Sequence, residues 1–257
     1  MSLSLVTLNI ERNKHWERVL PFLARVSPDV ICIQEIFADE VEKIERLGYT
    51  SLFGHVALWE KDAQDRSSLA SEGVALFSKL PMEHAEVYHY FRSEHPERAQ
   101  SGARSSEEKR VMTDQPVVIG AVRAAGELYT VATTHFTWSE RGSCTPYQER
   151  DLVNLLTYLN RYQSLILAGD LNIPRSSHKL YDRLCALYTD QVPRDIRSSI
   201  DLDYHKAGKD PKERTALARF MVDHVFTSPH YRVTEISQKC GLSDHCAFVA
   251  TIEKIKR

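Results

Sequence analysis

An excess of basic residues is missing from this sequence. Thirty-three Lys and Arg face 35 Asp and Glu, a formal net charge of −2. That balance excludes a general nucleic-acid coat protein, which needs surplus cations to displace phosphate counterions, and leaves only a local basic groove open. Glycine and proline are scarce, at 10 each in 257 residues, while 42% of the chain is hydrophobic, which excludes disorder as the main state. The five cysteines, Cys32, Cys144, Cys185, Cys240 and Cys246, are odd in number and lack framework-like spacing, and no CxxC pair points to zinc. The expectation is a reduced set, with Cys240 and Cys246 as small core residues. No stretch is long and apolar enough to span a bilayer, and "MSLSLVTLNI" has neither a basic n-region nor an apolar h-region. A cytoplasmic monomer without membrane insertion is expected, folded as one domain over 1–257.

What is present is a succession of strands with helices between them. Residues 3–10 read as a strand ending near Asn9, and 28–35, "PDVICIQE", as a buried strand closed by Glu35. Trp16, Val19, Leu20 and Leu23 form a helical stripe that Pro21 should kink or shorten. Val41, Ile44 and Leu47 mark a short helix stopped at Gly48, and Leu152, Leu155, Leu156 and Leu159 mark another. Residues 73–81, 116–124, 128–136, 220–228, 232–237 and 245–255 have strand character. Such a mixture predicts two packed sheets with helices outside. Residues 92–110 hold no large apolar side chain, and their five basic and four acidic residues nearly cancel, so they read as a mobile, solvated surface loop.

Several strands end alike. In "LILAGDLNIP", an apolar run stops at Asp170, with Asn172 two residues on and therefore on the same side of a pleated strand. Asn9 with Glu11, Glu35, His135, and the adjacent Asp244 and His245 sit at other strand ends. Sheets gather such ends at one edge, where ligands of layered α/β proteins bind. Glu11, Glu35, Asp170 and Asp244 would repel one another without a cation, and hard oxygen donors favour Mg²⁺ or Mn²⁺. Such an ion polarises a phosphorus centre, while Asp170 takes a proton from water, Asn172 and Asn9 hold water or phosphate oxygens, and His245 faces growing phosphoryl charge with Asp223 fixing its tautomer. Taken singly, each residue also has a bland reading as a turn, cap or core group. His224, on the opposite face from Asp223, reads as structural.

In order and rough spacing, "LNIE", "ICIQE", "EGVALFSKLP", "TTHF", "LAGDLNIP", "MVDHVF" and "LSDHCAF" resemble the endonuclease/exonuclease/phosphatase family of Mg²⁺-dependent phosphoesterases. The resemblance runs from about Leu3 to Ala250. It implies a four-layer α/β/β/α sandwich with the site at one rim. It also implies Glu35 as principal metal ligand, Asn9 and Glu11 as a metal-side pair, and Asp244 as a second metal-side carboxylate. His135 and His245 become phosphate-side histidines, Asp223 the partner of His245, and Asp170 with Asn172 the water-activating pair. Glu11 stands where aspartate is more usual.

Loops between such motifs select the substrate. After His135 and after the Asp170 motif, Arg141, Arg150, Arg175 and Lys179 are candidates for phosphate contacts, and Trp138 and Tyr147 for stacking. The C-terminal stretch looks closest to the tyrosyl-DNA phosphodiesterase branch. The resulting expectation is a phosphodiesterase acting on nucleic-acid ends or adducts. A phosphatase or phosphodiesterase for a small or lipid phosphate, and an inactive phosphate-binding module, are the alternatives.

Overall fold

A computed structural model describes residues 2–61, 69–96 and 105–255. Alternating apolar strands build two six-stranded sheets. The first contains β1 (Ser2–Asn9), β2 (Val30–Phe37), β3 (Thr50–Glu60), β4 (Leu69–Ser78), β11 (Tyr231–Lys239) and β12 (Ala247–Lys254), in the order β11-β12-β1-β2-β4-β3. The second contains β5 (Met82–Phe91), β6 (Gln115–Ala124), β7 (Glu127–Thr134), β8 (Ile166–Asp170), β9 (Thr189–Asp190) and β10 (Asp223–Thr227), in the order β5-β6-β7-β8-β10-β9. Both sheets are mixed. β1 pairs parallel with β2 and β7 parallel with β8, while the remaining neighbours run antiparallel.

Three apolar layers hold the stack together. Between the sheets, Leu5, Val74 and Phe248 of the first meet Val118, Val131 and Val225 of the second. The outer face of the first sheet is covered by helices α1 (Trp16–Val26) and α2 (Glu42–Glu45), through Val19, Phe22, Leu23 and Ile44. The outer face of the second is covered by α4 (Pro146–Leu159) and α5 (His178–Cys185), through Leu152, Leu155, Leu159 and Leu184. Two short helices, α3 (Ser106–Val111) and α6 (Pro211–Leu217), supply Lys109 and Leu217 to the rim where the strand ends gather. Burying each such aliphatic side chain stabilises the fold by about 1.5–3 kcal/mol.

Four expectations need correction. Pro21 does not interrupt α1, because it lies on the exposed side, where the carbonyl left without an amide partner faces water. Strands β3 and β5 were not anticipated. Polar residues such as His55, Glu83, His84 and Glu86 break their alternation, and their faces are only partly buried. In the 92–110 tract, residues 97–104 lie outside the described residues, but 106–111 form α3. Ser105 caps that helix by accepting from the Glu108 amide, and the Glu108 carboxylate returns to the Ser105 amide. Finally, Cys240 and Cys246 are not reduced core residues. They form a disulfide with Cα atoms 4.3 Å apart, while Cys32, Cys144 and Cys185 are free. The reason is register: Lys239 pairs with Ala247, so the two cysteines face each other across the turn between β11 and β12. That turn carries Asp244 and His245.

Candidate active site

Asn9 ends β1, and the chain then turns through left-handed conformations at Glu11 (φ 49°) and Arg12 (φ 63°). The Arg12 amide donates to the Glu35 carbonyl at 2.8 Å, pinning this turn to β2. Glu35 is itself left-handed, at φ 55°, within an irregularity of the β2–β4 pairing between Ile33 and Ile36. A bulge of this kind re-aims a side chain. Non-glycine residues in this region cost of order 1–3 kcal/mol and cluster at functional sites. Asn172, at φ 49°, is a fourth example.

From the second sheet come Asp170, at the end of β8, and Asp223, its antiparallel partner at the start of β10. Gly169 sits immediately before Asp170, and a Cβ there would lie 2.4 Å from the Thr134 carbonyl. The buried Asp170 carboxylate is held on every side. Its Oδ1 accepts the Asn172 amide at 2.9 Å and its Oδ2 accepts Asn9 Nδ2 at 3.2 Å, with His135 Nε2 at 3.5 Å and His245 Nδ1 at 3.9 Å. Asn9 Nδ2 also donates to Glu35 Oε1 at 3.2 Å, so one amide links the two sheets. The Asn172 side chain donates to the Phe136 carbonyl at 2.8 Å.

Charge in this cluster follows from burial and partners. Burial and Asp223 push the Asp170 carboxyl up, against the pull of His135 and His245. Burial penalises the His245 imidazolium, yet Asp223 at 2.7 Å from its Nδ1, Asp170 and Asp244 together raise it well above the usual histidine value. Burial opposes ionisation of Glu35, but Arg12 at 2.5 Å, His135 and Asn9 hold its carboxyl low. Asp244 is pushed up to about 6 by burial, Glu35 and Glu11, against His245.

Glu35, His135, Asp170, Asn172, Asp244 and His245 line one pocket of about 290 Å³. Ligand atoms of Asp170, Asp223 and His245 lie within 4.8 Å of one another, and Asp223 Oδ1 is buried without a partner. The carboxylate oxygens among these donors suit a divalent metal. Glu11 is not brought to the pocket lining, because its carboxylate is taken by Lys14 and, at 3.0 Å, by His15.

The substrate candidates separate sharply. Trp138 lines the pocket, with Lys109 4.0 Å above its ring. Arg175 points into a buried structural network, bonded to Asp190 and to the carbonyls of Val192, Pro193 and Ile196. His224 joins that network through Asp190 at 3.2 Å. Arg141 is paired with Glu213 on the surface, Lys179 with Glu149, and Arg150 borders a separate groove with Arg183. Tyr147 packs beside Arg110 with its hydroxyl buried. Arg141, Arg175 and Lys179 are thus each claimed by a local carboxylate. Sequence reasoning missed Arg12, Trp59, Lys109 and His205 at the pocket, and Glu72 beside it. Arg12 lies beside "LNIE" and Glu72 opens "EGVALFSKLP", so only those two carried a signal.

A two-sheet sandwich with paired acids and histidines gathered at one rim defines a phosphoesterase-type scaffold. The sequence profile of the Endonuclease/Exonuclease/phosphatase family matches residues 6–245, and the chain belongs to that family. Its members are in general metal-dependent phosphoester hydrolases. The fold is DNase I-like and is shared by solved structures at low identity. An endonuclease/exonuclease/phosphatase from Beutenbergia cavernae DSM 12333 superposes with a TM-score of 0.69 at 17% identity, over 98% of this chain and 72% of that one. The human Nocturnin catalytic domain with bound sulfate gives 0.68 at 17%, over 99% and 95%. D. rerio TDP2 complexed with single strand DNA product gives 0.66 at 16%, over 98% and 99%. No curated protein sequence matches the chain. Among the described residues, no helix is long and apolar enough to cross a membrane.

Proposed function

We propose that this protein is a Mg²⁺-dependent phosphodiesterase, with Mn²⁺ as a substitute, that hydrolyses phosphoesters of nucleic-acid ends or adducts. The observation that carries this reading is the position of Asp170, held between Asn9, Asn172, His135 and His245 in the pocket that Glu35 and Asp244 share. Asp170 takes the proton of the attacking water, and its raised carboxyl suits a base. Asn172, fixed by its bond to Phe136, and Asn9 orient that water. His245, kept protonated by Asp223, donates to the phosphoryl oxygen that gains charge, and His135 faces the same oxygens from the end of β7. Glu35, Asp244 and Asn9 would hold the ion, which supplies Lewis-acid polarisation of phosphorus and steadies the leaving oxygen. The nucleic-acid reading draws support from Trp138 beneath Lys109 at the pocket, and from the single strand DNA product bound to the structurally similar D. rerio TDP2.

The test is hydrolysis of bis(p-nitrophenyl) phosphate. We expect turnover with Mg²⁺, loss with EDTA, and a decrease on the order of 10²–10⁴-fold for Asp170→Ala. Turnover indifferent to both treatments refutes the metal mechanism. A panel of 5′-tyrosyl DNA, abasic duplex, single-stranded RNA, sphingomyelin and inositol phosphates then tests the substrate, and cleavage of the last two alone refutes the nucleic-acid reading.

A further inference from the structure

Beside the reaction pocket, and sharing Arg12, Glu35 and Lys109 with it, lies a smaller cavity of about 60 Å³. Its wall holds Glu72 and Gln115, from β4 and the start of β6, with relative exposures of 2% and 4%. Gln115 Nε2 is spent on Thr113 Oγ1 at 2.8 Å, which fixes the amide orientation, and its Oε1 has no partner. Glu72 Oε1 is likewise buried and unpartnered. The Trp59 Nε1 donor on the same wall is buried and unpartnered too. Polar groups left unsatisfied in this way are costly, and a ligand able both to give and to take a hydrogen bond relieves them.

Size and charge narrow that ligand. A volume of about 60 Å³ is several times the roughly 10–15 Å³ that one water occupies on the same measure, so a hydroxyl-bearing carbon fits. An ammonium donor is disfavoured, because three cations, Arg12, Lys109 and Arg110, line the same cavity against two carboxylates, Glu35 and Glu72. A neutral hydroxyl satisfies both constraints.

We infer that this cavity is a specificity subsite that takes an aliphatic hydroxyl carried by the alcohol part of the substrate, as in a polyol phosphate or a ribose phosphate, with Gln115 and Glu72 as acceptors. The inference rests on the phosphoesterase reading, since it takes the phosphate to sit in the adjoining pocket. It goes beyond that reading by selecting hydroxylated alcohols over their deoxy counterparts. Trp59, whose ring stacks under Arg12 at 4.4 Å, forms the aromatic wall.

Two pairs of monoesters differing in hydroxylation test it with the Mg²⁺-loaded protein: glycerol 1-phosphate against propyl phosphate, and ribose 5-phosphate against 2-deoxyribose 5-phosphate. Each is measured as a competitive inhibitor of bis(p-nitrophenyl) phosphate hydrolysis and, independently of activity, by quenching of tryptophan fluorescence. The hydroxylated member of at least one pair is expected to bind roughly tenfold tighter. Preference in the glycerol pair identifies an open polyol, and preference only in the ribose pair identifies a sugar ring. Gln115→Leu should bring the ratio close to one, and Glu72→Gln, which preserves volume, should reduce it. Equal binding within both pairs by the wild-type protein, with hydrolysis intact, overturns the subsite and leaves the phosphoesterase reading standing. No hydrolysis and no binding overturns both.

Discussion

At the scale of single residues, the histidine pair gives the sharpest expectation. Asp223 touches His245 Nδ1 at 2.7 Å but does not line the pocket, so it acts by keeping the imidazole charged and oriented. Asp223→Asn should lower kcat on the order of 10²-fold with little change in KM, since the charge is needed chiefly in the transition state. Steady-state kinetics on a chromogenic diester would measure it, and an unchanged kcat would remove Asp223 from the machinery. The buried Asp190 predicts a pH effect on stability. Burial penalises its ionised form, but His224, Tyr181 and Arg175 more than offset that and depress its carboxyl below the ordinary range. A depressed acid stabilises the fold above its unfolded value near 3.9 and loses that contribution as pH falls below about 4. The urea midpoint should therefore decline between pH 5 and 3, less steeply in Asp190→Asn.

At the scale of elements, what could be read in advance was what strand ends expose. Glu35, Asp170 with Asn172, and Asp244 with His245 stand where apolar runs stop, and a polar group in that position is conspicuous on a one-dimensional pattern. Gln115 was hidden because it lies in a strand, where a polar residue ordinarily marks the solvent face, and Glu72 showed only as the residue that opens "EGVALFSKLP". Arg175 misled for the converse reason: a basic residue in a loop after a motif looks available, and only tertiary contact reveals Asp190 and three carbonyls claiming it. The positive φ at Glu35 left no trace in its residue type either, since most residues adopting it are glycine or asparagine. β8 owes its fit to a different backbone constraint, the close approach of Gly169 to the Thr134 carbonyl. Gly169→Ala should cost about 1–3 kcal/mol and depress activity further by displacing Asp170. Thermal melting and kcat together would register it, and a neutral result in both would show that β7 and β8 can separate locally.

At the scale of the whole molecule, the site belongs to neither sheet. The first sheet and its adjoining turns supply Asn9, Glu35, Asp244 and His245, and the second supplies His135, Asp170 and Asp223. The buried Gln34 amide adds a second polar tie, donating across to Thr133 Oγ1 at 3.0 Å. The Asn9 amide reaches Glu35 on its own side and Asp170 on the other, and it can satisfy both only after the layers have locked into alignment. Competence for chemistry is then a late event in maturation of the chain. During refolding from urea, hydrolytic activity should return after the far-ultraviolet dichroism is complete, with a lag that lengthens in Asn9→Ala. Recovery of both signals in one phase would mean that the halves align as they form.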